Sequence, residues 1–158
     1  MTRMPDPTPG TRPDPDSLHL HDTVRLSAEG IAKVLGDLEA RVMRVVWALR
    51  DPATARAVHE RVLREHEVAH LTVVTVLNKL VDKGLLSRDK ADGVFHYRAC
   101  WTEEDFRAHV SRRVVEGMLA FEPRALATSF VEVLAERDRA ELAELRRLID
   151  RRLEEEEP

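Results

Sequence analysis

Apolar positions recur at helical spacing from Leu35 onward. Leu38, Val42, Val45, Val46 and Leu49 fall on one side of a helix that opens at Gly36 or Asp37 and stops at Asp51-Pro52. Trp47 is expected to anchor that helix in the core. Thr54 is a suitable N-cap for a second helix, "ARAVHERVLREH", with Val58, Val62 and Leu63 turned inward. A third helix is predicted over residues 70–83, "HLTVVTVLNKLVDK", with Val73, Val76, Leu77 and Leu80 inward and Gly84 as a left-handed cap. Two short extended runs follow, Leu85–Lys90 and Val94–Ala99. Asp92-Gly93 between them is a hairpin turn pair.

The last third is helical throughout. Thr102 caps "EEDFRAHVSRRVVEGMLA", whose acidic first turn suits the helix dipole. Phe106, Val110, Val114 and Met118 form one stripe on it. Pro123 fits the first turn of the next helix, with Leu126, Phe130, Val133 and Leu134 apolar. A last helix runs from about Asp138 to Leu153, with Leu142, Leu145 and Ile149 on one side. These stripes are too short to close a core alone. They must fold back on the first domain or pair with a second copy of themselves.

The predicted fold class is mainly α with a small β-hairpin wing. A winged helix-turn-helix domain over residues 34–100 precedes a helical dimerisation region over residues 101–153, and residues 154–158 form an acidic tail. Residues 1–33 interleave proline and aspartate and are expected to be a disordered arm, because they bury too little to offset their ordering entropy.

Composition narrows the function. The single cysteine, Cys100, excludes an intramolecular disulfide and a multi-cysteine zinc site. No run approaches a membrane span and no apolar leader opens the chain, so a cytoplasmic location without membrane insertion is expected. Net charge is −4, yet residues 36–100 carry 11 basic and 9 acidic side chains while residues 101–158 carry 10 and 15. A partner bearing phosphates would meet the middle of the chain.

The outward face of residues 70–83 carries that chemistry. Thr72 and Thr75 each offer a hydroxyl and a methyl, Asn78 an amide, Lys79 an ammonium and His70 a ring near the N-terminus. A major groove displays hydrogen-bonding base edges and thymine methyls that such side chains match. Arg88, Lys90 and His96 on the hairpin are candidates to grip flanking phosphates. The opposing interpretations are ordinary: polar residues facing water, and charged strand edges.

"LGDLEARVMRVVW", "TARAVHERV" and "LTVVTVLNKLVDKGLLSRDKADGVFHYRA" together resemble the penicillinase-repressor (BlaI/MecI-type) family from Leu35 to about Leu153. The most specific parts are Leu35, Glu39, Val42, Met43 and Trp47 at their spacing, and the Thr72, Thr75, Lys79, Leu80 pattern. The resemblance implies a dimeric winged-helix repressor on double-stranded operator DNA, with palindromic TACA/TGTA-like half-sites and interlocking C-terminal helices. It places DNA contacts at Thr72, Val74, Thr75 and Lys79. Val74 departs from the family, whose best-known members carry arginine there. Valine offers a surface to a thymine methyl but none to guanine.

The family's antibiotic-response members are cut at an Asn-Phe bond, in a circuit with a membrane-linked metalloprotease sensor. The aligned bond here is Ser129-Phe130, with the asparagine missing. A copper-responsive branch uses a C-terminal cysteine cluster, and this chain has no cysteine after Cys100. No cofactor, metal or catalytic residue is expected, since no hydroxyl or thiol has an evident base beside it. Two other interpretations stay open: a metal-responsive regulator using His59, His66 and His70, and a winged-helix protein-interaction module.

Overall fold

The computed structural model describes residues 35–50 and 52–156. The expected N-terminal arm lies outside the described residues, as do Asp51 and the last two residues of the acidic tail. The chain divides into two compact units, with the boundary between Ser111 and Arg112.

In the first unit, α1 (Asp37–Leu49) buries Ala40, Val42, Met43 and Val46, while Leu38, Val45 and Leu49 pack at the margin. Its axis is therefore rotated toward Met43 relative to the stripe the sequence predicts. Arg50, not a glycine, ends it with a positive φ of 59°. A two-residue strand, β1 (Ala53–Thr54), leads into α2 (Ala55–Val62), and Thr54 Oγ1 accepts a hydrogen bond from the Ala57 amide at 3.2 Å. The helix is shorter than expected. After Val62 the chain turns, with His66 N–H bonded to the Val62 carbonyl at 2.9 Å, and Leu63 is exposed rather than inward. The His59 ring nitrogen Nε2 lies 2.8 Å from the Val68 carbonyl and ties down the loop that brings Val68 against the core.

α3 (His70–Asp82) buries Val73, Val76, Leu77 and Leu80, the face that the apolar spacing predicts. It ends at Gly84 (φ 77°), where the Leu85 amide bonds Leu80 O and the Gly84 amide bonds Val81 O. Leu80 and Leu85 are both fully buried in the same core, the apolar setting that favours such a cap. β2 (Leu86–Ala91) and β3 (Val94–Ala99) form an antiparallel hairpin. Asp92 (φ 51°) and Gly93 (φ 79°) both take the left-handed conformation that a two-residue hairpin turn requires. β1 pairs with β3, so the sheet order is β1-β3-β2. The fold class is the predicted winged helix-turn-helix, with this short third strand added.

α4 (Glu103–Leu119) starts at Thr102, whose Oγ1 accepts from the Asp105 amide at 3.1 Å. Its first turns belong to the first unit. Phe106 is fully buried, its ring 5.7 Å from that of Trp47, and Trp47 Nε1 donates to the Trp101 carbonyl at 2.8 Å. The expected boundary at residue 100 therefore moves to 111, because Trp101 and Phe106 fill the core of the winged helix. Phe106 and Val110, expected at a dimer interface, pack into that core instead.

The second unit holds the end of α4, then α5 (Pro123–Arg137) and α6 (Arg139–Glu156), which pack on one another. α6 continues through Glu156, so most of the expected acidic tail is helical, with i,i+3 and i,i+4 ion pairs from Arg152 to Glu155 and Glu156. No side chain among residues 112–156 is buried. Val114, Leu126, Leu134, Leu142 and Leu145 are half-buried; Met118, Phe130, Val133 and Ile149 are exposed, and Phe121 is 92% exposed. Among the described residues no helix is long and apolar enough to cross a membrane.

Candidate nucleic-acid interface

α3 turns one face to the core, so its other face is set by helical geometry. Thr72, Thr75 and Lys79 are exposed there, Val74 and Asn78 are half-buried, and His70 stands at the start. Among the described residues no side chain caps the N-terminus of α3. The His70 ring stands edge-on to His59 at 5.3 Å.

Two of these polar groups are already engaged. Thr75 Oγ1 donates its proton to the Leu71 carbonyl at 3.0 Å, leaving its methyl and lone pairs for any other contact. Asn78 Oδ1 accepts from Arg88 Nη1 at 2.6 Å and from the Tyr97 hydroxyl at 3.2 Å. A guanidinium only donates, so the amide orientation is fixed by chemistry, with the oxygen toward β2 and β3. Asn78 thus fastens the wing to α3 rather than standing free.

The pleat sorts the wing residues. Arg88 pairs with Tyr97 and Lys90 with Phe95, so these four lie on one face of the hairpin. The Arg88 guanidinium stacks 4.8 Å from the Phe95 ring centre, and Lys90 Nζ stands 5.7 Å from it. His96 lies between Phe95 and Tyr97 in sequence and points to the opposite face, opposite Asp89 and Thr54, with its Nδ1 buried and without a hydrogen-bond partner among the described residues. The structure brings Arg88 to α3, leaves Lys90 on the same hairpin face over the Phe95 ring, and does not bring His96 with them. Phe95 and Tyr97 are absent from the residues expected by type. Their signal is the two-residue turn, which fixes the register and hence the shared face.

Glu39, a motif residue with no role legible in the sequence, reaches Lys83 at the end of α3. Lys83 Nζ lies 2.9 and 2.8 Å from its two carboxylate oxygens, and Gly36 N–H donates to Oε2 at 3.0 Å. Both side chains are mostly covered, 14% exposed for Glu39 and 16% for Lys83. Burial alone would raise the Glu39 carboxyl. The bonds from Lys83 and Gly36 and the charges of Lys83 and Lys79 outweigh it and hold the group below its ordinary value. This pair fixes the C-terminal end of α3 against the N-terminal end of α1.

His66 lies in the turn after α2 and α3 begins at His70, so the two are not on one helix. No group of three or more potential metal ligands occurs among the described residues. Cys100 is half-buried, and burial pushes its thiol up, partly offset by a hydrogen bond from Ser87.

A three-helix core that presents α3 outward beside a cationic hairpin defines a winged helix-turn-helix protein of the DNA-binding class. The profile of the family described as Penicillinase repressor matches residues 35–151, and the chain belongs to that family of transcriptional regulators. It is 40% identical over 63 residues to the Transcriptional regulator BlaI of Mycobacterium tuberculosis, covering 40% of this chain and 46% of that protein. The match therefore spans less than half the length of that relative. It is 23% identical over 118 residues to the Methicillin resistance regulatory protein MecI of Mammaliicoccus sciuri, covering 75% of this chain and 94% of that protein. A solved structure, the complex structure of hsRosR-S1, is similar over 68% of this chain and 95% of its own, at 24% identity and a TM-score of 0.40.

Proposed function

We propose that this protein is a homodimeric transcriptional repressor that binds a pseudo-palindromic operator with TACA/TGTA-like half-sites. Each protomer lays α3 in the major groove of one half-site. Thr72 and Lys79 take phosphates or base edges, and Arg88 and Lys90 hold the flanking backbone. The observation that carries this function is the fastening of Arg88 to α3 through Asn78, which sets that wing cation beside the exposed face of the helix.

The second unit supports dimerisation. Its helices bury no side chain alone and expose Met118, Phe121, Phe130, Val133 and Ile149, an apolar surface that a second copy would cover. Winged-helix boundaries and site residues follow the same proposal: residues 35–111 read DNA and residues 112–156 join the protomers.

Repressed genes of the β-lactam-response kind, and release by proteolysis after a membrane-linked metalloprotease sensor fires, extend this function. The Ser129-Phe130 bond lies inside α5, with Phe130 exposed. Cleavage there requires local unfolding of that helix, since a protease holds its substrate extended. Cutting would separate part of the dimer surface from the DNA-binding unit, and a single half-site contact binds far more weakly than two.

The test is equilibrium binding of the full chain to duplexes selected from a random-sequence pool, at several salt concentrations. A palindromic selected site, a dimer per site and affinity falling steeply with salt are the expected results. A flat salt dependence, or no preference over random duplex, rejects the proposal.

A further inference from the structure

We infer that α3 reads thymine C5-methyl groups, with Leu71 as a specificity-determining residue. Leu71 is 74% exposed in the first turn of α3. The first turns of a recognition helix are those that meet base edges. Val74 and Thr75 follow it at i+3 and i+4 and so share its face.

The polar chemistry of that face is reduced by its own bonds. The Thr75 proton is held by the Leu71 carbonyl, and the Asn78 oxygen is held by Arg88 and Tyr97. What remains outward around Leu71 is mostly apolar: the leucine side chain, the half-buried Val74 side chain and the Thr75 methyl, beside the Thr75 lone pairs. Leucine has no hydrogen bond to make with a phosphate or a base. On the free protein it is covered only by water. In a major groove its match is the one apolar group displayed there, the thymine methyl. Lys79, Arg88 and Lys90 on the adjoining surface supply attraction to the backbone without sequence information. The inference rests on the DNA-binding function above and adds to it the chemical group that is read.

The experiment uses the full chain, a duplex selected from a random pool, and the same duplex with each half-site thymine replaced in turn by deoxyuridine. Wild-type protein should lose about fourfold in affinity for each contacted methyl removed, the value of burying one such group. Leu71→Ala should bind the thymine duplex more weakly, and lose the thymine-over-uracil preference at the position Leu71 covers. Affinity for the corresponding uracil duplex should stay within about twofold of wild type. Leu71 is exposed, so the variant should melt with the parent, which thermal unfolding checks. Equal wild-type affinity for thymine and uracil duplexes overturns the methyl readout while leaving DNA binding intact. An unchanged thymine preference in Leu71→Ala overturns the role of Leu71. Failure to enrich any duplex removes the DNA-binding function itself.

Discussion

Asn78 on α3 and Arg88 on β2 are joined by a hydrogen bond of 2.6 Å, and the same Asn78 oxygen accepts from Tyr97. α3 and the wing are thereby tied to one another. Truncation in Asn78→Ala should free Arg88 and leave the hydroxyl of the buried Tyr97 short of an acceptor. The expected cost is about 1 kcal/mol of stability, read by denaturant unfolding. Asn78→Asp keeps the acceptor and should melt like wild type. It should still bind DNA more weakly by about 1 kcal/mol, because a negative charge now offsets Arg88 and repels the phosphates. Fluorescence anisotropy separates the two effects.

Lys79 and Arg88 should act through charge. Lys79→Ala is expected to weaken binding to all duplexes alike and to lower the slope of log affinity against log salt by about 1. Arg88→Ala should do the same, with an added loss of order in the wing from its contacts to Asn78 and Phe95. Salt titrations with selected and random duplexes measure both.

Thr75 distinguishes the hydroxyl from the methyl. Its hydroxyl serves the Leu71 carbonyl, so Thr75→Val, which keeps the branched shape, should bind operator within about threefold of wild type. Thr75→Ser keeps the hydroxyl and loses the methyl, and should lose about fourfold. The reverse order would assign the contact to the oxygen.

Glu39 makes stability depend on acid. Its folded carboxyl sits below the ordinary value of 4.5, so its contribution is fully present above that pH. It is lost as pH falls from 4.5 through the lower folded value. Glu39→Gln should cost about 2 kcal/mol at neutral pH, since Lys83 stays covered without its charged partner. That difference from wild type should shrink on acidification. Urea unfolding at pH 7 and below pH 4 shows whether the two curves converge.

The dimer proposal is tested on the exposed side of the second unit. Phe130→Glu and Val133→Glu should give monomers by analytical ultracentrifugation, since a carboxylate in an apolar interface is poorly tolerated. The first unit should keep its unfolding transition, because neither residue belongs to its core. Operator affinity should fall on the order of a hundredfold as the second half-site contact is lost.

The order of the elements was legible in the sequence because each is specified locally. The Val73, Val76, Leu77, Leu80 spacing sets the buried face of α3. Thr54 caps α2, Gly84 ends α3, and Asp92-Gly93 closes the hairpin, all through bonds or backbone preferences within a few residues. Thr72, Thr75 and Lys79 followed as the outward face by the same periodicity. What lay beyond that reach was pairing between distant segments. Phe106 looked like part of a dimer stripe because its own helix shows only the spacing. Its ring meets Trp47, from α1, and so belongs to the first core. Arg88, Lys90 and His96 looked alike by type, and the pleat of β3 sent His96 to the other side. Asn78 looked free for DNA until Arg88 and Tyr97 came to its oxygen, and Glu39 had no visible task until Lys83, 44 residues away, reached it. Local backbone preferences and apolar periodicity determine where helices and turns form. Only the packed tertiary structure decides which polar groups those elements consume among themselves, and so which remain to be offered to a partner.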